Sequence, residues 1–367
     1  MRIVSPFLKS VVYPALSMAG IFHRTSATGL AVVTYHGVIP PEYESVDASF
    51  DGSLVSGEML CSQVQLLKKH YDLIAPEDLL AWREKGTDLP ARAALLTCDD
   101  GLLNCLTEML PILQQEKVKC LFFVTGASAE ESRVMLWYEE LFLLLLRAHA
   151  GPFKISSEGI VIEGDLGPRE QRRAVWWNSV KRLSQVDART RVSFLHDLRI
   201  QFGVEAAQSL EDETSASCRR YGLLTPTELR KLVSAGMSIG AHTLSHPILS
   251  QLPAELASAE ISECRTRLES ALRSRVWAFA YPFGDPQSVT PQVLAMAQNS
   301  GYEAAFLNFG GGLDTELLPY ALPRIHATAE MSLAEFDAHV SGFYARLHRR
   351  AGRSPGSVEM MQGAASK

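Results

Sequence analysis

His242 and His246 stand four residues apart in the stretch GAHTLSHPILS, and imidazole nitrogens are common ligands of zinc and related divalent ions. The spacing is that of the helical zinc-protease motif, but Pro247 prevents a helix from running through the pair. The glutamate that acts as base in that motif is also missing beside His242. Either the two histidines are metal ligands completed by a donor from elsewhere, or they are partly buried side chains that bond to the backbone.

Two adjacent carboxylates, Asp99 and Asp100, directly follow the apolar stretch AALLTC and precede Gly101. Buried carboxylates are costly unless they are paired or used, and functional groups in βα folds gather at the carboxyl ends of strands. The alternative is that one aspartate merely caps the next helix. One carboxylate together with two histidines would make a three-ligand metal site that keeps positions open for water and substrate.

The elements that must position these side chains alternate between short apolar stretches and amphipathic helical patterns. This order predicts βα units with a parallel sheet, in which the carboxyl ends of the strands lie together. Strands are predicted at 30–35, 93–98, 120–125, 237–242, 276–281 and 303–308. Helices are predicted at 57–70, 104–116, 226–235, 253–272, 290–300 and 332–348.

The alternation breaks between residues 127 and 222, which predicts a mostly helical insertion that contains a β-hairpin. Within it, the polar segment 206–220 is predicted to be a loop. Trp137, Trp176 and Trp177 are predicted to form the core of a small helical subdomain, and the alternative is a lid whose rings stack on a sugar. The predicted organisation is an N-terminal segment (1–28), a βα framework in two parts (29–126 and 223–348), the insertion between them (127–222) and a polar tail (349–367).

Composition describes an ordinary globular chain of 367 residues, with 47% hydrophobic and 21% charged residues. A net charge of −6 disfavours nucleic acid as a partner, and six scattered cysteines favour reduced, buried thiols over a disulfide framework. The apolar run 11–22 is too short to cross a bilayer, which needs roughly 20 residues. It is a signal peptide or, as we favour, an amphipathic helix that rests on the domain or on a membrane through residues 1–25. A cytoplasmic or membrane-associated location is therefore favoured over secretion.

Three motifs in this order, TCDDG, HTLSHP and FAYPFG, resemble the polysaccharide deacetylases of carbohydrate esterase family four, which share the NodB homology domain. The FAYPFG form is similar to the subgroup of biofilm poly-N-acetylglucosamine deacetylases. The resemblance covers residues 29–126 and 223–330 and leaves the insertion unexplained. It implies a distorted (β/α)7 barrel whose site lies at the carboxyl ends of the strands.

The resemblance also implies a role for the carboxylates and histidines. Asp99 would be the catalytic base, and Asp100 would bind the metal together with His242 and His246. The implied ion is Zn²⁺, with Co²⁺ or Ni²⁺ as alternatives. It would polarise the acetyl carbonyl and hold the attacking water, whose proton Asp99 would take.

The third motif departs from the usual family pattern. Arginine often stands where this chain has Ala280, and in the resembling subgroup a later strand supplies that arginine, which here would be Arg324 in LPRIHA. The alternative for this residue is an ordinary surface salt bridge. A backbone N–H near Tyr281 would stabilise the oxyanion, and Pro282 and Phe283 of the same motif would contact the substrate.

The general acid is not given by the usual late motif of the family. The same subgroup carries a Tyr-His pair after its first strand, and VVTYHGV supplies His36 here. Expulsion of an amine needs an acid with a pKa near neutrality, which suits histidine. His36 is therefore the predicted acid and His326 the reserve, while the alternative for His36 is a histidine of the core.

The function implied by these motifs is metal-dependent removal of N-acetyl groups from amino sugars of a polysaccharide or glycan precursor. The partner would then be an N-acetylated amino-sugar glycan. Alternatives are an amidase of the same fold acting on an N-formyl or non-sugar substrate, and an inactive relative that only binds carbohydrate. A two-histidine, one-carboxylate iron oxygenase is a remote option that leaves Asp99 without a role.

Overall fold

The computed structural model describes residues 7–24, 27–48, 50–313 and 315–350. Its strands are β1 (Gly29–Tyr35), β2 (Asp72–Leu73), β3 (Arg92–Cys98), β4 (Cys120–Val124), β5 (Pro152–Ser157), β6 (Ile160–Asp165), β7 (Ser238–Ala241), β8 (Ala278–Ala280), β9 (Ala304–Gly310) and β10 (Leu322–His326).

The helices comprise the following elements. They are α1 (Tyr13–Met18), α2 (Gly57–His70), α3 (Pro76–Lys85), α4 (Leu110–Glu116), α5 (Trp137–Arg147), α6 (Arg169–Leu183), α7 (Ala188–Phe202), α8 (Ala216–Tyr221), α9 (Pro226–Ser234), α10 (Ala254–Leu272), α11 (Pro291–Asn299), α12 (Leu333–Val340) and α13 (Phe343–Arg350).

Seven parallel strands close into a barrel in the order β1, β3, β4, β7, β8, β9, β10, and β1 pairs with both β3 and β10 to complete the ring. The short β2 pairs beside the first half of β3, outside the ring. The distorted (β/α)7 barrel predicted from the sequence is therefore confirmed. Because all seven strands run the same way, their carboxyl ends meet at one face of the barrel.

The barrel strands are buried on both sides, as the near-continuous apolar sequence of each strand requires. Leu95 of β3 packs inside the ring with Phe123 and Phe306. Thr97 and Asp99 follow Leu95 at alternate positions, so their side chains face the same interior. The interior thus changes from apolar to charged towards the carboxyl face.

Helix α2 shows how the surrounding layer is encoded. Ser56 accepts a hydrogen bond from the Met59 N–H and so caps the first turn. Leu60, Val64 and Leu67 then form one buried stripe against the barrel. The prediction of a helix at 57–70 is correct to the residue. Helix α3 was not predicted, because its short apolar face offers little periodicity.

The insertion forms a helical subdomain with its own core. The β5–β6 hairpin and helices α5 to α7 bury one apolar cluster that includes Leu144, Ile155 and Phe194. The segment 206–220 is not wholly a loop as predicted: Ser215 caps the short helix α8 by accepting a hydrogen bond from the Cys218 N–H. One cap was sufficient to start a helix in a stretch whose composition is polar.

The N-terminal region packs on the barrel domain. A π-helical turn at Leu8–Val12 leads into α1, and Tyr13 is fully buried against α12. None of the described helices is both long and apolar enough to span a bilayer. Contact of this region with a membrane surface stays a prediction.

The final helix predicted at 332–348 is two helices, α12 and α13, because the chain turns at Gly342 with a φ of 72°. Residues 349 and 350 of the predicted tail end α13, and the rest of it lies outside the described residues.

Candidate active site

The carboxyl ends of two strands bring together the residues that could bind a metal. Asp100 follows β3, whereas His242 and His246 follow β7. The Nε2 atoms of His242 and His246 lie 3.5 Å and 3.3 Å from Asp100 Oδ1, and all three side chains are buried. The three possible ligand atoms lie within 4.8 Å of one another.

These distances fit a shared divalent ion. Zinc ligands at about 2.05 Å in tetrahedral geometry lie about 3.3 Å from each other. Asp100 Oδ1 is buried and has no hydrogen-bond partner among the described residues, which is costly unless a cation satisfies it. Burial raises the pKa of Asp100, but the two imidazoles outweigh burial and hold this pKa well below its usual value. A carboxylate with two neutral imidazoles is the donor set that Zn²⁺ and its neighbours Co²⁺ and Ni²⁺ accept.

The surroundings of the two histidines orient their rings. His242 Nδ1 lies 2.8 Å from the Ala280 carbonyl oxygen, which can only accept, so Nδ1 carries the proton and the Nε2 lone pair faces Asp100. The His246 backbone N–H donates to Thr243 Oγ1, and its carbonyl accepts from Trp137 Nε1. The insertion therefore supports the loop that carries the second histidine.

Asp99 is held by a buried arginine from β10. Arg324 donates to both carboxylate oxygens of Asp99, at 2.7 Å and 2.6 Å, and its Nε donates to the Leu307 carbonyl. Burial raises the pKa of Asp99, but the guanidinium outweighs it and the pKa is lower than usual. Asp99 is thus ionised at neutral pH. The alternative of a surface salt bridge for Arg324 is wrong, because the residue is only 1% exposed.

Two histidines lie beside this pair. The rings of His36 and His326 are 4.5 Å apart, and both have a buried ring nitrogen without a partner among the described residues. Burial, followed by the neighbouring His36, lowers the pKa of His326 to about 3, so His326 is a neutral imidazole near pH 7 rather than the cationic acid that the reaction needs. His36 also lines the cavity above Asp99, whereas His326 does not.

The three residues predicted from the third motif have different surroundings. The Tyr281 N–H donates to the Phe306 carbonyl within the barrel, and the side chain is buried with its hydroxyl bonded to Tyr320. Tyr281 is therefore not available to an oxyanion. Phe283 lines the cavity and its N–H has no partner among the described residues, which makes this N–H the candidate oxyanion donor of the motif. Pro282 connects the two and is not itself among the cavity residues.

A cavity of about 430 Å³ lies above the metal-binding group and Asp99. The insertion supplies much of its wall, through Tyr138, Glu139, Phe142, Arg173, Trp176 and Trp177. Two of the three tryptophans predicted as subdomain core therefore line the cavity, whereas Trp137 is buried as predicted. Sequence reasoning missed Glu139 as a site residue, although an acidic residue inside the apolar run LWYEELFLLLL was a signal.

Comparison with protein families gives a match to the model described as "Polysaccharide deacetylase" over residues 86–305, more than half of the chain. The chain belongs to the polysaccharide deacetylase family. Its match includes Asp99, Asp100, His242 and His246 and also spans the insertion. A curated relative of the family, YxkH of Bacillus subtilis (strain 168), is 23% identical over 117 residues, which are 32% of this chain and 41% of YxkH. The chain thus spans well under half the length of that relative.

Solved structures of similar fold include the deacetylase PplD of Streptococcus pyogenes, in complex with acetate, and IcaB from Ammonifex degensii. PplD aligns with a TM-score of 0.53 at 16% identity and covers 86% of this chain and 99% of its own. IcaB aligns with a TM-score of 0.52 at 16% identity and covers 85% of this chain and 96% of its own. At this identity the likeness establishes the fold.

Proposed function

We propose that this member of the family is a metal-dependent hydrolase that removes N-acetyl groups from the amino sugars of a glycan. The observation that carries the proposal is that one cavity holds both the Asp100–His242–His246 group and an ionised carboxylate, Asp99, fixed by Arg324. A metal site alone could serve many functions. A metal site beside an oriented base, in this family, supports hydrolysis.

Asp100, His242 and His246 would hold the ion, with Zn²⁺ as the proposed metal. Bound there, the ion would supply a Lewis acid and lower the pKa of water. Asp99 takes the proton of the attacking water, because each carboxylate oxygen keeps a lone pair after Arg324 has bonded to it. Arg324 keeps this carboxylate ionised and aimed.

Two further residues of the cavity donate a proton to the leaving amine and stabilise the oxyanion. His36 donates a proton to the departing amine nitrogen, since an unprotonated amine is a poor leaving group. The Phe283 N–H donates to the oxyanion of the tetrahedral intermediate. The cavity wall that the insertion supplies positions the sugar.

The decisive experiment compares two adjacent isosteric variants. Metal content and acetate release from N-acetylglucosamine oligomers would be measured for the wild type, Asp100→Asn and Asp99→Asn. Asp100→Asn should lose both metal and activity, because an amide replaces a charged ligand. Asp99→Asn should keep its metal and lose activity by about 100-fold or more. Near-normal turnover in Asp99→Asn would exclude this base, and a wild type that binds metal but releases no acetate would favour a carbohydrate-binding relative.

The acid is tested by the leaving group. His36→Ala should slow the hydrolysis of N-acetyl sugars by about 100-fold, yet leave 4-nitrophenyl acetate nearly unaffected, because nitrophenolate leaves without a proton. His326→Ala is the matched control and should discriminate much less between the two substrates. Equal losses on amide and ester in His36→Ala would contradict the assignment.

A further inference from the structure

One side of the cavity is closed by a contact between the insertion and the loop that follows β1. Arg173 of α6 donates to both carboxylate oxygens of Asp47, with its Nε 2.9 Å from Oδ2 and one terminal nitrogen 2.6 Å from Oδ1. Asp47 is buried, whereas the Arg173 side chain is 37% exposed, so this ion pair lies at the edge of the join. Two-point pairing of this kind fixes geometry as well as distance.

A second set of contacts fixes the same join. Arg220 of α8 lies 2.7 Å from Asp51 in the loop and 2.7 Å from Glu139 in the insertion, and all three side chains are buried. Next to them, the rings of Phe50 and Phe142 stack at 3.9 Å. Opening this wall would break both ion pairs of Arg220 and the stacking of the two rings at the same time. The wall is therefore a preformed part of the site.

The two tryptophans of the wall have different environments. Trp176 donates its Nε1–H to the Tyr138 carbonyl at 2.8 Å and packs edge-on against Phe50, so it belongs to the wall itself. Trp177 lines the cavity with 38% of its surface exposed, and its ring lies 6.2 Å from that of Phe283. A large apolar ring left exposed beside a catalytic cavity provides a flat contact surface for a ligand.

We propose that the cavity is a one-ended sugar pocket, in which Trp177 stacks on the ring of a terminal N-acetylhexosamine belonging to a glycan chain or a short precursor. This rests on the proposed function and narrows its substrate. An internal sugar of a long polymer needs an exit for the chain on both sides, and the Asp47–Arg173 and Asp51–Arg220–Glu139 contacts close one of them. A volume of about 430 Å³ is also at the low end for drug-sized ligands, and one or two sugar rings are of that size.

The first test maps where acetate is lost. The zinc-loaded wild type would be given N-acetylglucosamine pentamer labelled at its reducing end, and the deacetylated unit would be located by fragment mass spectrometry. We expect one terminal unit to lose its acetyl group first, and kcat/KM to level off beyond the dimer or trimer. Deacetylation of internal units as fast as terminal ones, or kcat/KM that rises steadily up to the pentamer, would overturn the pocket but leave the deacetylase function intact. A wild type that releases no acetate from any oligomer would overturn both.

The second test addresses Trp177. Trp177→Ala should raise KM for the oligomer by about 3- to 10-fold, the scale of one stacked aromatic contact, with kcat changed less. Hydrolysis of 4-nitrophenyl acetate, which has no sugar ring, should be affected much less than that of the oligomer, and Trp177→Phe should restore most of the affinity. Ile200→Ala is the control, since Ile200 is an exposed apolar residue of the same insertion outside the cavity. Equal effects of Trp177→Ala on both substrates, or no effect on either, would remove the stacking role.

Discussion

A buried arginine of the barrel, Arg324, and a buried arginine of the insertion, Arg220, lie beside the site, and the two have different partners. Arg324 of the barrel pairs with Asp99, which precedes the candidate metal ligand Asp100 in the chain. Arg220 of the insertion pairs with Asp51 and Glu139, which join two parts of the cavity wall. In the proposed function, the same interaction orients the base in the barrel and shapes the cavity wall in the insertion. Substitution of each arginine by methionine, which keeps volume and removes charge, separates these two contributions.

Arg324→Met should give the largest effect on activity. Asp99 would lose both its orientation and the charge that keeps it ionised, so kcat/KM should fall by at least about 100-fold for the oligomer and the aryl ester alike. Metal content should be unchanged, because Arg324 bonds to none of the three ligand candidates. The control is Arg275→Met, whose guanidinium is 46% exposed and pairs with Glu84 and Glu303. A large loss confined to the sugar substrate would show that Arg324 serves binding rather than the base.

Arg220→Met should act mainly on stability and on the sugar substrate. Two buried carboxylates would lose their cation, which should lower the free energy of unfolding by about 3–5 kcal/mol in a denaturant titration. Arg275→Met should cost less than about 1 kcal/mol. The folded fraction of Arg220→Met should still hydrolyse 4-nitrophenyl acetate, while its KM for the oligomer rises. A parallel loss on both substrates would mean that the wall and the chemistry are not separable.

Glu139→Gln should give the smallest effect, visible as a change in pH dependence. Burial raises the pKa of Glu139 to about 7, although Arg220 opposes the shift. At pH values between the ordinary pKa of a glutamate and 7, Glu139 holds a proton in the folded protein but not in the unfolded chain. Its contribution to stability therefore falls as the pH rises through this range. In metal-free protein, the melting temperature of the wild type minus that of Glu139→Gln should therefore decrease from pH 5 to pH 7.

Glu163→Gln is the control for this pH dependence. Glu163 is exposed on the β5–β6 hairpin, and its pairing with Lys154 lowers its pKa. Its titration lies below this range, so the difference between the wild type and Glu163→Gln should be flat from pH 5 to 7. A flat difference for Glu139→Gln as well would indicate that Glu139 is ionised throughout the range.

Sequence alone predicted the barrel half of the site well, for a physical reason. Parallel strands read as apolar runs, and a charge directly after such a run must lie at the strand end. Asp99, Asp100 and His242 all follow this rule, whereas Arg324 in LPRIHA was predicted only from the family resemblance. Sequence did not decide which backbone N–H near Tyr281 is left for an oxyanion, because the side on which a backbone N–H bonds depends on the register between β8 and β9, which sequence does not encode locally.

The insertion half could not be predicted in the same way. Its contacts to the cavity join residues that are far apart in sequence, such as Asp47 with Arg173 and Asp51 with Arg220. Such pairs depend on how the subdomain packs against the barrel. Trp176 and Trp177 are neighbours in a helix with no clear apolar face, so their different environments follow from packing rather than from pattern.

Three residues of the cavity lie on backbone that side chains rarely adopt. Asp100, His246 and Phe283 have φ values of 75°, 56° and 61°. Conformations of this kind cost on the order of 1 kcal/mol or more each and are kept only where the surrounding structure enforces them. Glycine at position 100 or 246 would remove this backbone strain. It would also remove one of the three candidate metal ligands. If variants were selected only for thermal stability, glycine at these positions would be enriched, and the selected proteins would be more stable but inactive.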